Sequence, residues 1–184
     1  MVSIPSLWLP IVVSAVVVFV ASAILHMVLT YHRRDYRPLP EEAAKLGALR
    51  GTAPGYYVFP YCRSPKEMGA PEMQEKYKQG PVGILTVMPS GPPSMGKHLF
   101  LWFLFCLLVG VFVAYLTGRA LPPGTEYLAV FRLAGTIAFV AYGFGEIADS
   151  IWKAQPWSNT IRALIDALIY GLLTAGIFGW LWPA

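Results

Sequence analysis

The sequence has little charge for its length of 184 residues. Only 13% of its residues are charged, against about 25% in a typical soluble domain. A disordered chain combines high charge with few aromatic residues, and this chain is 14% aromatic, so disorder is excluded. Its two cysteines are too few for a disulfide scaffold. With 56% hydrophobic residues and a mean hydropathy of +0.54, the composition indicates an integral membrane protein.

Four apolar runs are long enough to cross a bilayer. About 20 residues of helix span the ~30 Å of hydrocarbon, and only helices satisfy their own backbone groups there without closing a barrel. We therefore predict an all-α fold, a polytopic four-helix membrane bundle that forms a single membrane domain over 1–184. The predicted helices cover residues 7–29, 99–117, 128–148 and 161–181.

The distribution of basic residues predicts the topology. Residues 31–97, between the first two runs, contain 10 of the 14 lysines and arginines, and basic loops remain on the cytoplasmic side. A cleaved signal peptide carries positive charge before its apolar stretch, whereas here the basic residues follow the first run. We therefore expect a retained first helix, a cytoplasmic insert at 31–97 and both termini outside the cytoplasm.

The insert is rich in proline and glycine. Residues 51–96 hold 7 glycines and 8 prolines, a density that favours turns and extended segments over helices. Residues 40–50 suit a short helix, because proline stands at their start and acidic residues follow it. The apolar segments 56–61 and 84–88 need cover from the membrane, the bundle or a partner.

Residues 91–97 fit the phosphate-binding pattern G-x-x-x-x-G-K, but the chemistry does not. That loop binds phosphate through successive backbone N–H groups, and Pro92 and Pro93 have none. The residue after the lysine is His98 rather than the serine or threonine that holds magnesium. We expect no nucleotide, and the net charge of +4 reflects topology rather than a nucleic-acid partner.

Ionisable residues inside or beside the spans form a candidate polar cluster. An ionisable group in a membrane span is a functional-site hypothesis by default. Two interpretations stay open: the charges pair and hold the helices together, or they form a proton or ligand site. The candidates, at one end of the first, third and fourth helices, are His26, Glu146, Asp149, Arg162 and Asp166.

Small residues recur every four positions along the fourth helix. Such a seam lets another helix approach closely, either the third helix of the same chain or a helix of another subunit. The sequence therefore allows an internal contact, a homo-oligomer or a protein partner. The seam residues are Ala163, Ala167, Gly171, Ala175 and Gly179.

Metal, cofactor and catalytic motifs are scarce. The chain has three histidines, His26, His32 and His98, and no closely spaced pair with metal-ligand spacing. His26 is one conceivable haem ligand without an evident partner. No common hydrolase or metalloprotease motif occurs. We therefore predict no metal, no cofactor and no catalytic residue.

The two ends of the chain carry a resemblance. The first helix from Pro10 to Arg34, the turn Ala154-Gln155-Pro156-Trp157 and the closing Gly179-Trp180 are similar to a family of small bacterial four-helix membrane proteins catalogued as a domain of unknown function. The insert 35–97 departs from that pattern. The resemblance implies a four-helix fold in the bacterial inner membrane and brings no activity with it.

These observations lead to one expected function and two alternatives. We expect a non-enzymatic accessory or scaffold subunit that sits in the lipid bilayer and packs against itself or another protein. The first alternative is a small transporter or a proton- or ion-handling protein that uses the acidic cluster. The second is a membrane redox or enzyme subunit centred on His26.

Overall fold

A computed structural model describes all residues from Met1 to Ala184, and most of them are helical. The chain divides into two compact units. One comprises Met1–Tyr36 and Ser94–Ala184, and the other comprises Arg37–Pro93. The elements in chain order are α1 (Pro5–Val28), α2 (Glu42–Leu49), β1 (Gly55–Phe59), α3 (Pro65–Met68), α4 (Pro71–Gln79), β2 (Gly83–Val87), α5 (Met95–Ala120), α6 (Tyr127–Lys153) and α7 (Trp157–Trp180).

The first unit contains four helices that are long and apolar enough to cross a membrane, namely α1, α5, α6 and α7. This confirms the predicted number of spans. Each helix extends past the predicted apolar run at one end or both, since α5 begins at Met95 and α6 ends at Lys153. Apolar composition defines a predicted run, whereas backbone hydrogen bonding continues the helix into its polar ends.

The four long helices contact one another in pairs. Helix α6 lies along α7, while α1 contacts both α5 and α7, and α5 contacts α6. The core has two apolar clusters. One, around Leu7, Val113 and Phe178, lies toward the end where the chain starts. The other, around Val18, Cys106 and Tyr170, lies nearer the end where α1 finishes and α5 begins, which we call the insert end.

Small residues explain the close contact between α6 and α7. A Cβ atom added to Gly143 would lie 2.8 Å from the Cβ of Ala167, and one on Gly135 would lie 2.9 Å from the Cβ of Ala175. A Cβ on Gly171 would come within 3.1 Å of the carbonyl oxygen of Gly135. The predicted seam on α7 therefore faces α6 within the same chain, which is the internal contact among the alternatives above.

The second unit, Arg37–Pro93, contains short elements. Strands β1 and β2 pair antiparallel, with Gly55 opposite Val87, and they coincide with the two apolar segments of the insert. Helix α2 falls where a short helix is predicted. The expectation of turns and extended segments alone is wrong for α3 and α4, because both helices begin at a proline, where the missing N–H is not needed.

The boundary of this unit differs from the predicted insert. Residues 31–36 lie in the first unit with the long helices, although the sequence assigns them to the insert. The chain also forms two units, where the sequence predicts a single domain. This short stretch after α1 matters because it supplies much of the polar site.

Candidate functional site

A polar cavity of about 330 Å³ lies at the insert end of the first unit. Its walls come from the last turn of α1, the stretch after it, and the ends of α6 and α7 that meet at their connection. Carboxylates, imidazoles and amides make up most of this wall. The side chains that the site uses are His26, His32, Asp35, Glu146, Asn159 and Asp166.

Asp166 is the most deeply buried acid of the site, with 3% of its surface exposed. Its Oδ1 accepts a hydrogen bond from the Tyr31 hydroxyl. Its Oδ2 lies 2.8 Å from Nε2 of His32 and 3.7 Å from Nε2 of His26. The ionic partners of this carboxylate are thus two histidines. Arg162, four residues earlier on α7, pairs with Asp35 instead.

The end of α1 brings the two histidines together. The last turn, Ile24–Val28, is a π-helix in which the N–H of Leu29 donates to the carbonyl of Ile24 at 3.0 Å. Leu29 is extended and a 3-10 turn follows, so the chain folds back. The rings of His26 and His32 then stack with centroids 4.2 Å apart and planes 10° from parallel. π-Helical turns are often found at functional sites.

Asp35 connects this folded-back stretch to α7. Its Oδ2 lies 2.6 Å from Nδ1 of His32, and its Oδ1 accepts from Nε of Arg162 at 2.6 Å. Asn159 donates to the carbonyl oxygen of Asp35 at 3.1 Å. Burial alone would raise the pKa of the Asp35 carboxyl, but the hydrogen bonds and charges of His32 and Arg162 hold that pKa below its ordinary value.

Glu146 also lines the cavity and lies near the end of α6. Its Oε2 accepts a hydrogen bond from the side-chain amide of Gln155 at 3.1 Å. Behind it, the hydroxyls of Ser150 and Thr160 share a hydrogen bond. Both are buried, so this bond fixes the connection between α6 and α7 and with it the position of the cavity wall.

The structure brings together most of the predicted polar cluster. His26, Glu146 and Asp166 line the cavity, and Arg162 reaches it through Asp35. Asp149 is not part of the site: its carboxylate pairs with Lys153 at 2.7 Å one turn along α6. The spacing of three between Glu146 and Asp149 places them near one face, but only Glu146 points toward the cavity.

Sequence reasoning missed four residues of the site. Tyr31, His32 and Asp35 lie beyond the first apolar run beside two arginines, where polar residues indicate topology, and Asn159 lies in the first turn of α7. One local signal existed: His32 and Asp35 are three residues apart, a spacing at which side chains in a helical turn meet. The contacts of Tyr31 and His32 with Asp166, more than 130 positions away, have no signature in one sequence.

Three side chains of the site form a donor set that could bind one metal ion. His26, His32 and Asp166 each offer a ligand atom, and these atoms lie within 4.8 Å of one another. Imidazole nitrogens and a carboxylate oxygen are common ligands of divalent transition metals. The sequence does not reveal this set, because its members come from α1, the turn after it and α7.

An apolar cavity of about 450 Å³ adjoins the site and shares His26 with it. It lies between α1 and α5, where Phe19 and Trp102 contribute to its wall. The indole of Trp102 donates to the hydroxyl of Ser22 at 2.7 Å.

Tyr170 lies one turn beyond Asp166 on α7. It is 3% exposed and its hydroxyl has no hydrogen-bond partner. Aromatic rings thus adjoin the polar cavity.

No protein-family model matches this chain, and no curated protein or solved structure is similar to it. The resemblance to a bacterial four-helix family stays a prediction. The chemistry of the chain's own residues therefore has to indicate the function.

Proposed function

We propose that this protein is a multi-pass membrane protein that binds a cation in its polar cavity, and that it handles ions rather than serving as a passive scaffold. The observation that carries the proposal is the Asp166 carboxylate. It is buried in a membrane-span helix, and its ionic partners within 4 Å are His26 and His32 rather than an arginine or a lysine. A buried carboxylate needs a counter-charge.

The charge balance of the cavity supports the same conclusion. Three carboxylates, those of Asp35, Glu146 and Asp166, line the wall, and one guanidinium, that of Arg162, pairs with the first of them. With neutral histidines, two negative charges have no fixed counter-charge. An unpaired buried ion costs several kcal/mol, and a bound cation would remove that cost.

The membrane setting belongs to this proposal. We take the four long helices to form one bundle in a bacterial inner membrane, with the insert end and its cavity facing the cytoplasm. Ten of the 14 basic residues follow α1 and precede or begin α5, which supports this orientation. Both termini then lie outside the cytoplasm, and the cation enters from the cytoplasmic side.

The other two functions stay predictions with less support. An accessory or scaffold role depends on the seam on α7 and on the apolar, proline- and glycine-rich insert. The seam faces α6 in the same chain, so it is not available to a partner, and the insert remains the ground for this role. Native electrophoresis of the solubilised protein tests that role directly. A redox or enzyme subunit centred on His26 would show cofactor absorption in the purified protein.

Thermal unfolding of the purified protein in detergent tests cation binding. A ligand that binds only the folded state adds about 2.7 kcal/mol to the free energy of unfolding at 100 times its dissociation constant. We expect at least one of Na⁺, K⁺, Mg²⁺, Ca²⁺, Mn²⁺ and Zn²⁺ to raise the melting temperature of the wild type. The Asp166→Asn variant should lose this response and be the more stable protein without the cation, because it buries no charge.

The matched control is Asp149→Asn, which removes an acid that pairs with Lys153 outside the cavity. This variant should keep the full response to the cation. A wild type whose melting temperature is raised by none of these ions, or an Asp166→Asn variant that responds as the wild type does, would show the proposal to be wrong.

A further inference from the structure

The two histidines of the cavity both present Nε2 toward the same carboxylate oxygen. Nδ1 of His26 lies 3.1 Å from the carbonyl oxygen of Ser22. Nδ1 of His32 lies 2.6 Å from the carboxylate of Asp35. Both Nδ1 partners are acceptors, so Nδ1 of each ring donates its proton there. Without an ion, Nε2 of His32 shares a proton with Oδ2 of Asp166 at 2.8 Å, and a metal ion would displace that proton to bind the nitrogen. Nε2 of His26 lies 3.7 Å from the same oxygen and has its lone pair free.

This arrangement is the one in which histidine binds metals. A metal-ligating imidazole usually donates its other N–H to a carboxylate or a backbone carbonyl, which fixes the tautomer and the ring orientation. Both forms occur here, the backbone carbonyl for His26 and the carboxylate for His32. The ligating carboxylate is held as well, because Oδ1 of Asp166 accepts from Tyr31 and leaves Oδ2 for the ion.

The distances fit a single small ion. Nitrogen and oxygen ligands bind zinc at about 2.0–2.2 Å, so two ligands of a tetrahedral site lie roughly 3.3 Å apart. The two nitrogen–oxygen pairs at Oδ2 of Asp166, 2.8 and 3.7 Å apart, bracket that separation, and all three ligand atoms lie within 4.8 Å of one another. The two imidazole rings are stacked 10° from parallel, and each Nε2 lone pair lies in its ring plane, so one ring must turn out of the stack for both to bind one ion. His26 has room to do so, because it belongs to the last turn of α1 and is half exposed.

The ligand types select a class of metal. Calcium and magnesium prefer sites made of oxygen atoms, and copper(I) prefers thiolate or thioether sulfur. Two imidazoles and one carboxylate suit zinc, iron(II), cobalt(II) or manganese(II). Three protein ligands leave a position open toward the cavity of about 330 Å³, as in sites that exchange a ligand rather than in closed structural sites.

We infer that the cation of the proposed function is a divalent first-row transition-metal ion, bound by Nε2 of His26, Nε2 of His32 and Oδ2 of Asp166 with an open position facing the polar cavity. This inference rests on the proposed function and deepens it. The two positive charges of the ion balance the two carboxylates that lack a fixed counter-charge, those of Asp166 and Glu146. Asp35 and Tyr31 are positioning residues that hold the ligands from behind.

Cobalt(II) is the probe that tests this assignment, because its visible absorption reports the number and type of its ligands. We would titrate Co²⁺ into the full-length protein in detergent, carrying no polyhistidine tag, and displace it with Zn²⁺. We expect one Co²⁺ per chain, with the strong absorption of a four- or five-coordinate site. Substitution of one ligand, in His26→Gln or Asp166→Asn, should weaken binding by more than the ~10–100-fold that loss of a supporting residue costs.

The matched control is His98→Gln. His98 also places Nδ1 on the backbone carbonyl four residues earlier, at 2.8 Å from Ser94, but it is not a member of the donor set. It should leave the affinity and the spectrum unchanged. His26→Gln is the second variant because its side chain is half exposed, so the test does not depend on the folding of Asp166→Asn.

Two results would overturn the inference. One is a wild type that binds neither Co²⁺ nor Zn²⁺, and the other is a His26→Gln variant with unchanged affinity and spectrum. If Na⁺, K⁺, Mg²⁺ or Ca²⁺ then still raises the melting temperature of the wild type and not of Asp166→Asn, the proposed function stands and only the metal class falls. If no ion does so, both are wrong.

Discussion

At the scale of single residues, the site depends on how one carboxylate is held. Asp166 has its two oxygens used by different partners, Oδ1 by Tyr31 and Oδ2 by the histidines. Arg162, the arginine on the same helix, instead pairs with Asp35. This division keeps the arginine from neutralising Asp166 and leaves the carboxylate available to a cation.

Removal of the Tyr31 hydroxyl should weaken cation binding without removing a ligand. In Tyr31→Phe, Oδ1 of Asp166 loses its hydrogen bond and the carboxylate can rotate away from the histidines. Loss of such supporting bonds typically costs ~10–100-fold in metal affinity. We expect a loss in this range, measured by competition between the protein and a chelating dye for Co²⁺.

The control for this prediction is Tyr115→Phe. Tyr115 lies near the end of α5 that is away from the cavity, beside Arg119, and its substitution removes the same hydroxyl group. It should bind the ion as the wild type does. An affinity for Tyr31→Phe equal to that of Tyr115→Phe would contradict a positioning role for Tyr31.

Some of these residues could be predicted from the sequence and some could not. Asp166 and His26 lie inside apolar runs, where an ionisable side chain is conspicuous. His32 and Asp35 lie in a polar, basic stretch, where another polar residue carries no information. Asp149 was predicted to belong to the cluster because of its spacing from Glu146, but spacing on a helix does not distinguish a side chain at the cavity from one that pairs with Lys153.

At the scale of the elements, two features position the site. The π-helical last turn of α1 and the extended Leu29 end the helix and turn the chain back, which stacks His32 under His26. The close contact between α6 and α7 then sets how far Glu146 lies from Asp166. Glycines allow that contact, because several of them meet atoms of the facing helix at less than the distance a side chain needs.

A bulky residue at Gly171 should therefore destabilise the protein. A Cβ there would already lie 3.1 Å from the carbonyl of Gly135 and 3.2 Å from Cβ of Phe139, so Gly171→Leu must push α6 and α7 apart. Overpacking of this kind costs about 1–3 kcal/mol. We expect a lower melting temperature in detergent and a weaker response to the cation.

Gly145→Leu provides the control, since a Cβ on Gly145 meets nothing within 4 Å. It makes the same substitution on the facing helix α6 and should be neutral or stabilising, because leucine favours helix more than glycine does. Equal melting temperatures for the two variants would contradict the contact between α6 and α7.

The helices themselves were predictable to different degrees. The four long ones follow from apolar length, and the seam on α7 from its small residues. Helices α3 and α4 were not predicted, because proline was treated as a helix breaker. Proline breaks a helix in its interior but is well tolerated at its start, and Pro65 and Pro71 occupy such positions.

At the scale of the whole molecule, the proposed topology makes a direct prediction. With the insert in the cytoplasm and both termini outside, a cysteine introduced at Ala184 should react with a membrane-impermeant maleimide in intact cells. A cysteine introduced at Ser90, in the insert, should react only after the membrane is permeabilised. Both positions are exposed, so access to them is controlled by the membrane.

These variants would be made in a Cys62→Ser background, since Cys106 is buried and needs no replacement. The background protein without an added cysteine gives the control level of labelling. The reverse pattern, with Ser90→Cys labelled in intact cells, would contradict the proposed orientation and place the cavity on the outer side.

The sequence alone specified a four-span membrane protein, because the transfer of a helix into lipid depends on the apolar residues of that segment and on little else. Only the tertiary structure decided which charges meet. Asp166 contacts residues more than 130 positions away, and Arg162 pairs with Asp35 rather than with its helical neighbour. Pairing of this kind depends on distances between separate elements and on burial, and neither quantity is encoded in the composition or spacing of one segment.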